Sequence, residues 1–153
     1  MSKIKDVAVI GTGVIGIGWI IRCLAHGKRV RAYDINLNNK DDLIKEIKRT
    51  KPFIKKIYSK NKFNLSNLLF FTKLDEALVN AEFIFECVPE NYNMKIKLMK
   101  QIGLFSKSSS IISSSSSGLL PSKIYSKCKN PQRGLIGHPF NPVYLLPGIE
   151  IVP

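Results

Sequence analysis

The sequence predicts an α/β domain built on a doubly wound, mainly parallel sheet with helices on both faces. Three observations carry that prediction. Short apolar runs alternate with stretches of helical period along the 153 residues, the pattern of parallel strands joined by crossover helices. The first apolar run, Val7 to Ile10, passes at once into glycines at 11, 13 and 16 and then into a helix-like stretch, Val14 to His26, closed by Gly27. A second apolar run, Val30 to Asp34, ends on an acid 18 residues beyond Gly16. Strand, glycine turn, helix, strand and acid in that order describe a Rossmann-type dinucleotide site.

The turn Gly11-Thr12-Gly13-Val14-Ile15-Gly16 is the centre of that site. Gly11 allows the bend, Gly13 lets the backbone approach a pyrophosphate, and Gly16 lets the helix pack closely on the strand. The unpaired amides of the helix start face the phosphates, with the positive end of the helix dipole behind them. Asp34 stands where a carboxylate accepts hydrogen bonds from the adenosine ribose. It would repel a 2'-phosphate, so the pattern favours NAD over NADP.

Residues 36–64 are polar, lysine-rich and helical in period, with Leu43, Ile44 and Ile47 and then Phe53, Ile54 and Ile57 as the apolar stripe. They predict one or two amphipathic helices, with Pro52 kinking or dividing them. Leu68 to Thr72 predicts a third strand, Leu74 to Asn80 a short helix, and Phe83 to Val88 a fourth strand ending at Pro89. Met94 to Leu104 has helical spacing, and Ser110 to Ser114 predicts a fifth strand. The serines from 113 to 117 form an ordered loop closed by Gly118. Leu119 to Lys127 predicts a short helix interrupted at its start by Pro121, Arg133 to Gly137 a sixth strand, and Ile149 to Val152 a seventh.

Composition is that of a single globular domain, 44% hydrophobic and 23% charged. The net charge of +13 comes mostly from lysines spread along the chain, with only five arginines. Its densest part, Lys45 to Lys62, carries no nucleic-acid recognition motif, so no nucleic-acid partner is expected. Cys23, Cys87 and Cys128 form no C-x-x-C pair and read as reduced structural thiols. No metal site is expected. The polar start, Met1 to Asp6, is not a secretory signal, and no run reaches membrane-spanning length. The expectation is a cytoplasmic protein with no membrane partner.

Ligands of open α/β sheets sit beyond the carboxyl ends of the strands. Gly11 follows the first strand, Asp34 ends the second, Glu90 follows the fourth, Ser117 the fifth and His138 the sixth, so all five fall on one edge. Oxidation of an alcohol needs a base for the hydroxyl proton while hydride goes to a nicotinamide. His138, held between prolines in Gly137-His-Pro-Phe-Asn-Pro142, is the candidate base. Glu150, 12 residues on, is the carboxylate that would fix its tautomer and stabilise its protonated form. Ser117 is placed to hydrogen-bond the reacting oxygen. His26, at the end of the first helix, has a structural role there. Trp19 and Tyr33 are core or pocket-wall residues.

These residues together resemble the 3-hydroxyacyl-CoA dehydrogenase family over essentially the whole chain. The motifs are Gly11-Thr-Gly-Val-Ile-Gly16 with Asp34, Glu86-Cys-Val-Pro-Glu-Asn91, Ser117, His138-Pro-Phe-Asn-Pro142 and Glu150. By similarity, Glu90 and Lys95 match positions that contact NAD; from its own surroundings in sequence Lys95 reads as a solvated helix lysine. Ser117, His138 and Glu150 match the substrate-binding serine, the catalytic histidine and its carboxylate partner. The proline after His138 is typical of members acting on free small hydroxy acids, and the segments around it are most similar to the branch acting on L-carnitine, with the L-gulonate branch next. The implied activity is NAD-dependent oxidation of a 3-hydroxy acid, in carnitine or fatty acid metabolism; the alternatives are an acyl-CoA or gulonate substrate, or a non-catalytic NAD-binding remnant. Gly148 departs from the leucine usual before the carboxylate, an expected loosening of the last strand. Family members continue into a helical domain that forms a homodimer and closes the pocket. Residues 1–153 are therefore expected to be the NAD-binding domain alone, with the helical domain absent from this chain or separately encoded, little turnover without it, and an apolar face exposed around Tyr144 to Pro147.

Overall fold

The computed structural model describes residues 4–58 and 62–153, which form one seven-stranded sheet. In chain order the strands are β1 (Asp6–Ile10), β2 (Arg29–Tyr33), β3 (Leu68–Phe71), β4 (Phe83–Glu86), β5 (Ile111–Ser114), β6 (Gly134–Pro139) and β7 (Ile149–Val152). Across the sheet they run β3-β2-β1-β4-β5-β6-β7, parallel throughout except for the antiparallel pair β6 and β7. The chain winds outward from β1 to β3 and then returns to lay β4 on the other side of β1. That reversal is the switch point at which doubly wound sheets open a crevice.

Side chains alternate along β1, so Val7 and Val9 enter one apolar cluster and Ala8 and Ile10 the other. The first cluster is completed by α1 (Val14–Ala25) and α2 (Asn39–Ile57), through Ile20, Leu24, Leu43, Ile47 and Ile54. The second is completed by α3 (Leu74–Leu78), α4 (Tyr92–Phe105) and α5 (Pro121–Ile124), through Leu78, Met99, Ile102 and Ile124. Helices therefore cover both faces, as the alternating pattern predicts. At the end of α1, Gly27 takes a φ of +71°, and the amides of Gly27 and Lys28 bond the carbonyls of Leu24 and Cys23 at 2.9 and 3.0 Å. His26 Nδ1 lies 2.9 Å from the Arg22 carbonyl, consistent with its structural reading.

Several elements differ from expectation. Helix α2 is continuous, with Pro52 inside it. The proline sits on the exposed side, where the missing amide leaves only a solvated carbonyl, while Leu43, Ile47, Thr50 and Ile54 keep an unbroken buried stripe. Phe53 and Ile57, expected on that stripe, are exposed. Residues 59–61 of the expected helical region, and residues 1–3 of the polar start, lie outside the described residues. Pro121 begins α5 rather than interrupting it, as suits the first helical position, and the helix is only four residues long. Strand β4 stops at Glu86, and β6 runs on to Pro139 because β7 pairs with it, so His138 lies within the strand. Among the described residues no helix is long and apolar enough to cross a membrane.

Candidate active site

A cleft of about 900 Å³ opens at the carboxyl edge of the sheet, over the switch point between β1 and β4. Gly11, Thr12, Gly13, Val14 and Ile15 line its floor. Gly11 has a φ of +95°, and a Cβ built there would stand 2.9 Å from the Cys87 carbonyl oxygen. A Cβ on Gly16 would stand 1.9 Å from the Gly11 carbonyl oxygen, so glycine is what lets α1 start so close to β1. Gly16 itself lies beneath the turn, outside the cleft lining. A Cβ on Gly13 would meet nothing within 4 Å: that face is open. Helix α1 has no side-chain cap and no acid in its first turn, so its leading amides are free of side-chain acceptors. An open backbone face beside uncapped amides fits the diphosphate of a dinucleotide.

Asp34, beyond the end of β2, is tied to the same turn. One carboxylate oxygen accepts the Thr12 amide at 2.9 Å and the Thr12 hydroxyl at 2.7 Å, and the other accepts the Asn36 amide at 3.1 Å. Burial alone would raise this carboxyl, but these donors, with the Asn39 side chain, outweigh it and hold Asp34 below the ordinary carboxylate value. The carboxylate is thus held in its ionised form and fixed in the cleft lining beside the glycine turn. Around it, Ile35 is 85% exposed at the mouth, and Met94, Lys97, Leu98 and Gln101 come from one stripe of α4. Sequence reasoning missed this wall, although the spacing of three and four residues along a helix could have shown it.

The serine run after β5 turns into the cleft. Ser115 lies in its lining, and its hydroxyl accepts the Trp19 indole N–H at 3.2 Å. Trp19 is stacked on Phe85 with ring centroids 4.1 Å apart. One oxygen of Glu90 accepts the Ser116 hydroxyl and the amides of Ser117 and Gly118, the latter two at 3.1 and 3.2 Å. The loop is ordered, as read from its place in the sequence, and Glu90 accounts for much of that order. Burial would raise the Glu90 carboxyl, yet the Ser116 hydroxyl, the loop amides and nearby Lys95 bring it below its ordinary value.

Lys95 is not in the cleft lining, and it is not solvated either. It is 1% exposed, with Nζ at 2.7 and 2.9 Å from the two carboxylate oxygens of Glu86 and 3.1 Å from the Val88 carbonyl. The solvated reading fails because its partner comes from a strand, a contact that helical spacing does not show. Cys87 also faces the cleft, but burial pushes its thiol up to about 12, which leaves it protonated and inert at neutral pH.

His138 lines the same cleft as the Gly11 turn and Ser117. In the antiparallel ladder His138 stands directly opposite Glu150, and its Nδ1 is 3.5 Å from Glu150 Oε2. The carboxylate therefore faces one ring nitrogen and leaves Nε2 available. The β6–β7 connection is clamped to α1 and α2. Arg22 donates to the carbonyls of Val143 and Leu146 at 2.8 Å each, and the Tyr58 hydroxyl donates to the Tyr144 carbonyl at 2.8 Å. Gly148 does not loosen this hairpin: its carbonyl accepts the Phe140 amide across it at 3.2 Å. The Phe140 ring fills the space of the absent side chain, since a Cβ there would stand 2.6 Å from it. Beyond the clamp, Leu145, Leu146, Ile149, Ile151 and Val152 are exposed. Among the described residues no cluster of three or more His, Cys, Asp and Glu could hold a metal ion.

Residues 6–153 match the family model described as 3-hydroxyacyl-CoA dehydrogenase, NAD binding domain. The chain is 41% identical over 152 residues to L-carnitine dehydrogenase of Pseudomonas putida, a match covering 99% of this chain and 47% of the relative. It is 43% identical over 148 residues to the L-carnitine dehydrogenase of Oceanobacillus iheyensis, covering 97% and 48%. The chain thus spans about half the length of these relatives. Among solved structures, 3-hydroxybutyryl-CoA dehydrogenase from Escherichia coli K12 superposes with a TM-score of 0.88 at 25% identity, over 98% of this chain and 32% of that one. A diketoreductase superposes with a TM-score of 0.89 at 27% identity, over 99% and 55%.

Proposed function

The chain belongs to the 3-hydroxyacyl-CoA dehydrogenase family, and from that premise we propose that residues 1–153 are the NAD-binding half of a dehydrogenase oxidising the 3-hydroxyl of a small hydroxy acid, L-carnitine foremost. The observation that carries the reading is the meeting, in one cleft, of the open Gly13 turn, Asp34, Ser117 and a histidine backed by a carboxylate at 3.5 Å. When bound, NAD would accept the hydride from the carbinol carbon. The turn from Gly11 to Ile15 holds the diphosphate with backbone amides, and Asp34 accepts from the ribose hydroxyls and rejects a 2'-phosphate. Ser117 donates its hydroxyl proton toward the substrate oxygen. His138 takes the substrate's hydroxyl proton on Nε2, and Glu150 on the Nδ1 side stabilises the imidazolium that results. Glu90 shares the cleft wall and steadies the serine loop. Lys95, which the family resemblance assigns to NAD, acts in this reading through Glu90.

Carnitine is favoured over acyl-CoA substrates by identity: about 40% to relatives named L-carnitine dehydrogenase, against 25% to the solved hydroxybutyryl-CoA enzyme. On this reading the protein works in carnitine metabolism in the cytoplasm. Phe140 and Tyr144 are the aromatic residues nearest His138 in sequence that could meet a trimethylammonium group. The relatives' further length suggests that a helical half, in the same chain or another, packs on Leu145, Leu146, Ile149 and Ile151 and pairs the protein into a homodimer. Two measurements test the proposal. Titration of NAD and NADP against Trp19 fluorescence should show binding of NAD alone. NADH absorbance with L-carnitine, L-gulonate and 3-hydroxybutyryl-CoA, in the presence of the helical half of a relative, should rise with carnitine first. NAD binding without turnover on any of the three would leave a non-catalytic NAD-binding module.

A further inference from the structure

The loop carrying Ser117 has no apolar side chain of its own to bury, since residues 113–117 are all serine and Gly118 follows. Its order comes from polar partners: the Ser115 amide donates to the Glu86 carbonyl, the Trp19 indole donates to the Ser115 hydroxyl, and a charged cluster holds the residues on either side. Glu86, at the end of β4, is 0% exposed and accepts the Ser114 hydroxyl, the Val88 amide and both short contacts from Lys95. Glu90, four residues beyond the end of β4, accepts the Ser116 hydroxyl and the amides of Ser117 and Gly118. Lys95 Nζ stands between the two carboxylates, 2.7 Å from Glu86 and 3.6 Å from Glu90. Each carboxylate thus holds one part of the loop, and the lysine links them.

Burying such charges costs several kcal/mol per ion before pairing. A helix that needed only to be fastened to a strand could use apolar contacts, as Met99 and Ile102 do on the same helix. The charged cluster does something an apolar contact cannot: it supplies an acceptor to the amides of Ser117 and Gly118. We propose that Glu86, Lys95 and Glu90 are positioning residues for Ser117, with Lys95 setting Glu90 so that its carboxylate clasps the Ser116–Gly118 backbone. The inference rests on the reading of Ser117 as the serine that meets the substrate oxygen. It gives Lys95 a role that runs through Glu90 to the serine loop.

The test is site-resolved amide hydrogen exchange on the 153-residue chain, alongside NAD titration by Trp19 fluorescence. Glu90→Ala should speed exchange at Ser117 and Gly118 by roughly tenfold or more, with β1 and β4 amides unchanged. Glu90→Gln keeps an acceptor oxygen and should recover most of the protection. Lys95→Met alone leaves Glu86 buried without its partner and should destabilise the whole fold, so it does not isolate the loop. The paired Glu86→Gln, Lys95→Met variant removes both charges together and should lose protection at the loop only. Unchanged exchange at Ser117 and Gly118 in Glu90→Ala, whatever happens to NAD affinity, overturns the proposal. Loss of protection spread across the sheet also overturns it, since that marks a role in the whole fold. A wild-type chain that binds no NAD, while Glu90→Ala still frees the loop, defeats the dehydrogenase reading and leaves the clasp standing.

Discussion

On the β1–α1 side of the cleft the working groups are answered from within the chain, whereas on the β6–β7 side they stand at an open surface. Asp34 is bonded by the turn it faces, the turn is closed by Cys87, and the strands behind it are buried on both faces. The other side is held by the Arg22 and Tyr58 clamps, and past them its outermost strand is exposed along its length. His138 is 37% exposed and Glu150 65% exposed. The difference teaches how the domain divides its labour. Gripping a dinucleotide needs backbone geometry that one sheet provides, and the chain contains it whole. Holding an ion pair strong enough to act on a substrate needs exclusion of water, which exposed β7 does not provide by itself.

The largest effect should come from the open side. His138→Gln removes the proposed base, the one opposite a carboxylate among the described cleft residues, and turnover followed by NADH absorbance in the presence of the helical half should fall on the order of 10²–10⁴-fold with NAD affinity unchanged. A variant with full turnover would move the base elsewhere and end the comparison. Next comes the closed side. Gly16→Ala puts a methyl group against the Gly11 carbonyl oxygen, a backbone atom that cannot swing away. Overpacking of this kind costs about 1–3 kcal/mol, so thermal unfolding should shift down by roughly 2–12 °C for a domain of this size. NAD binding should be lost with it. A variant that binds NAD normally would show the turn to be less rigid than its packing suggests.

Much of the closed side is legible in the sequence because its contacts are local. Glycines at 11, 13 and 16 and an acid after the next strand fix a turn, a helix start and a ribose acceptor within 24 residues. The fold class follows from the same alternation. The open side is less legible because pairing between distant segments decides it. His138 reads as a residue after a strand, yet the antiparallel partner extends that strand and sets it opposite Glu150. Lys95 reads as a solvated lysine because its partner Glu86 lies on a neighbouring strand, and only the assembled sheet brings them to 2.7 Å. Pro52 reads as a break in α2, but it falls on the solvated side of a helix whose buried stripe continues past it. Gly148 reads as slack, and the Phe140 ring occupies the slack.

Asp34→Asn sharpens the comparison at smaller cost. It keeps the shape but removes the charge proposed to meet the ribose, and hydrogen bonds to charged groups contribute about 1.5–3 kcal/mol. NAD affinity should fall roughly 10–100-fold and the preference over NADP should shrink, measured by paired titrations. The same carboxylate predicts an acid limit. Its folded value is held below the ordinary 3.8, so it favours the folded turn at neutral pH and down to about that value. The contribution is lost only as pH falls further, through the folded value. Acid unfolding of Asp34→Asn should therefore diverge from wild type above that range and converge below it.

The smallest effect belongs to the exposed apolar face. Leu146 is exposed, and its hydrogen bonds are made by the backbone alone, the carbonyl to Arg22 and the amide to the Pro142 carbonyl. Leu146→Lys should leave the 153-residue chain's stability within about 0.5 kcal/mol, since surface changes of this kind rarely exceed that. Its NAD affinity should also be unchanged, because the dinucleotide turn lies on the other side of the cleft. What should change is association. Sedimentation of the wild-type chain with the helical half of a relative should show a complex that Leu146→Lys weakens, because the complex would bury a lysine ammonium without a partner. If the variant associates as well as wild type, the open side of the cleft is not where a second half docks, and exposed β7 needs another explanation.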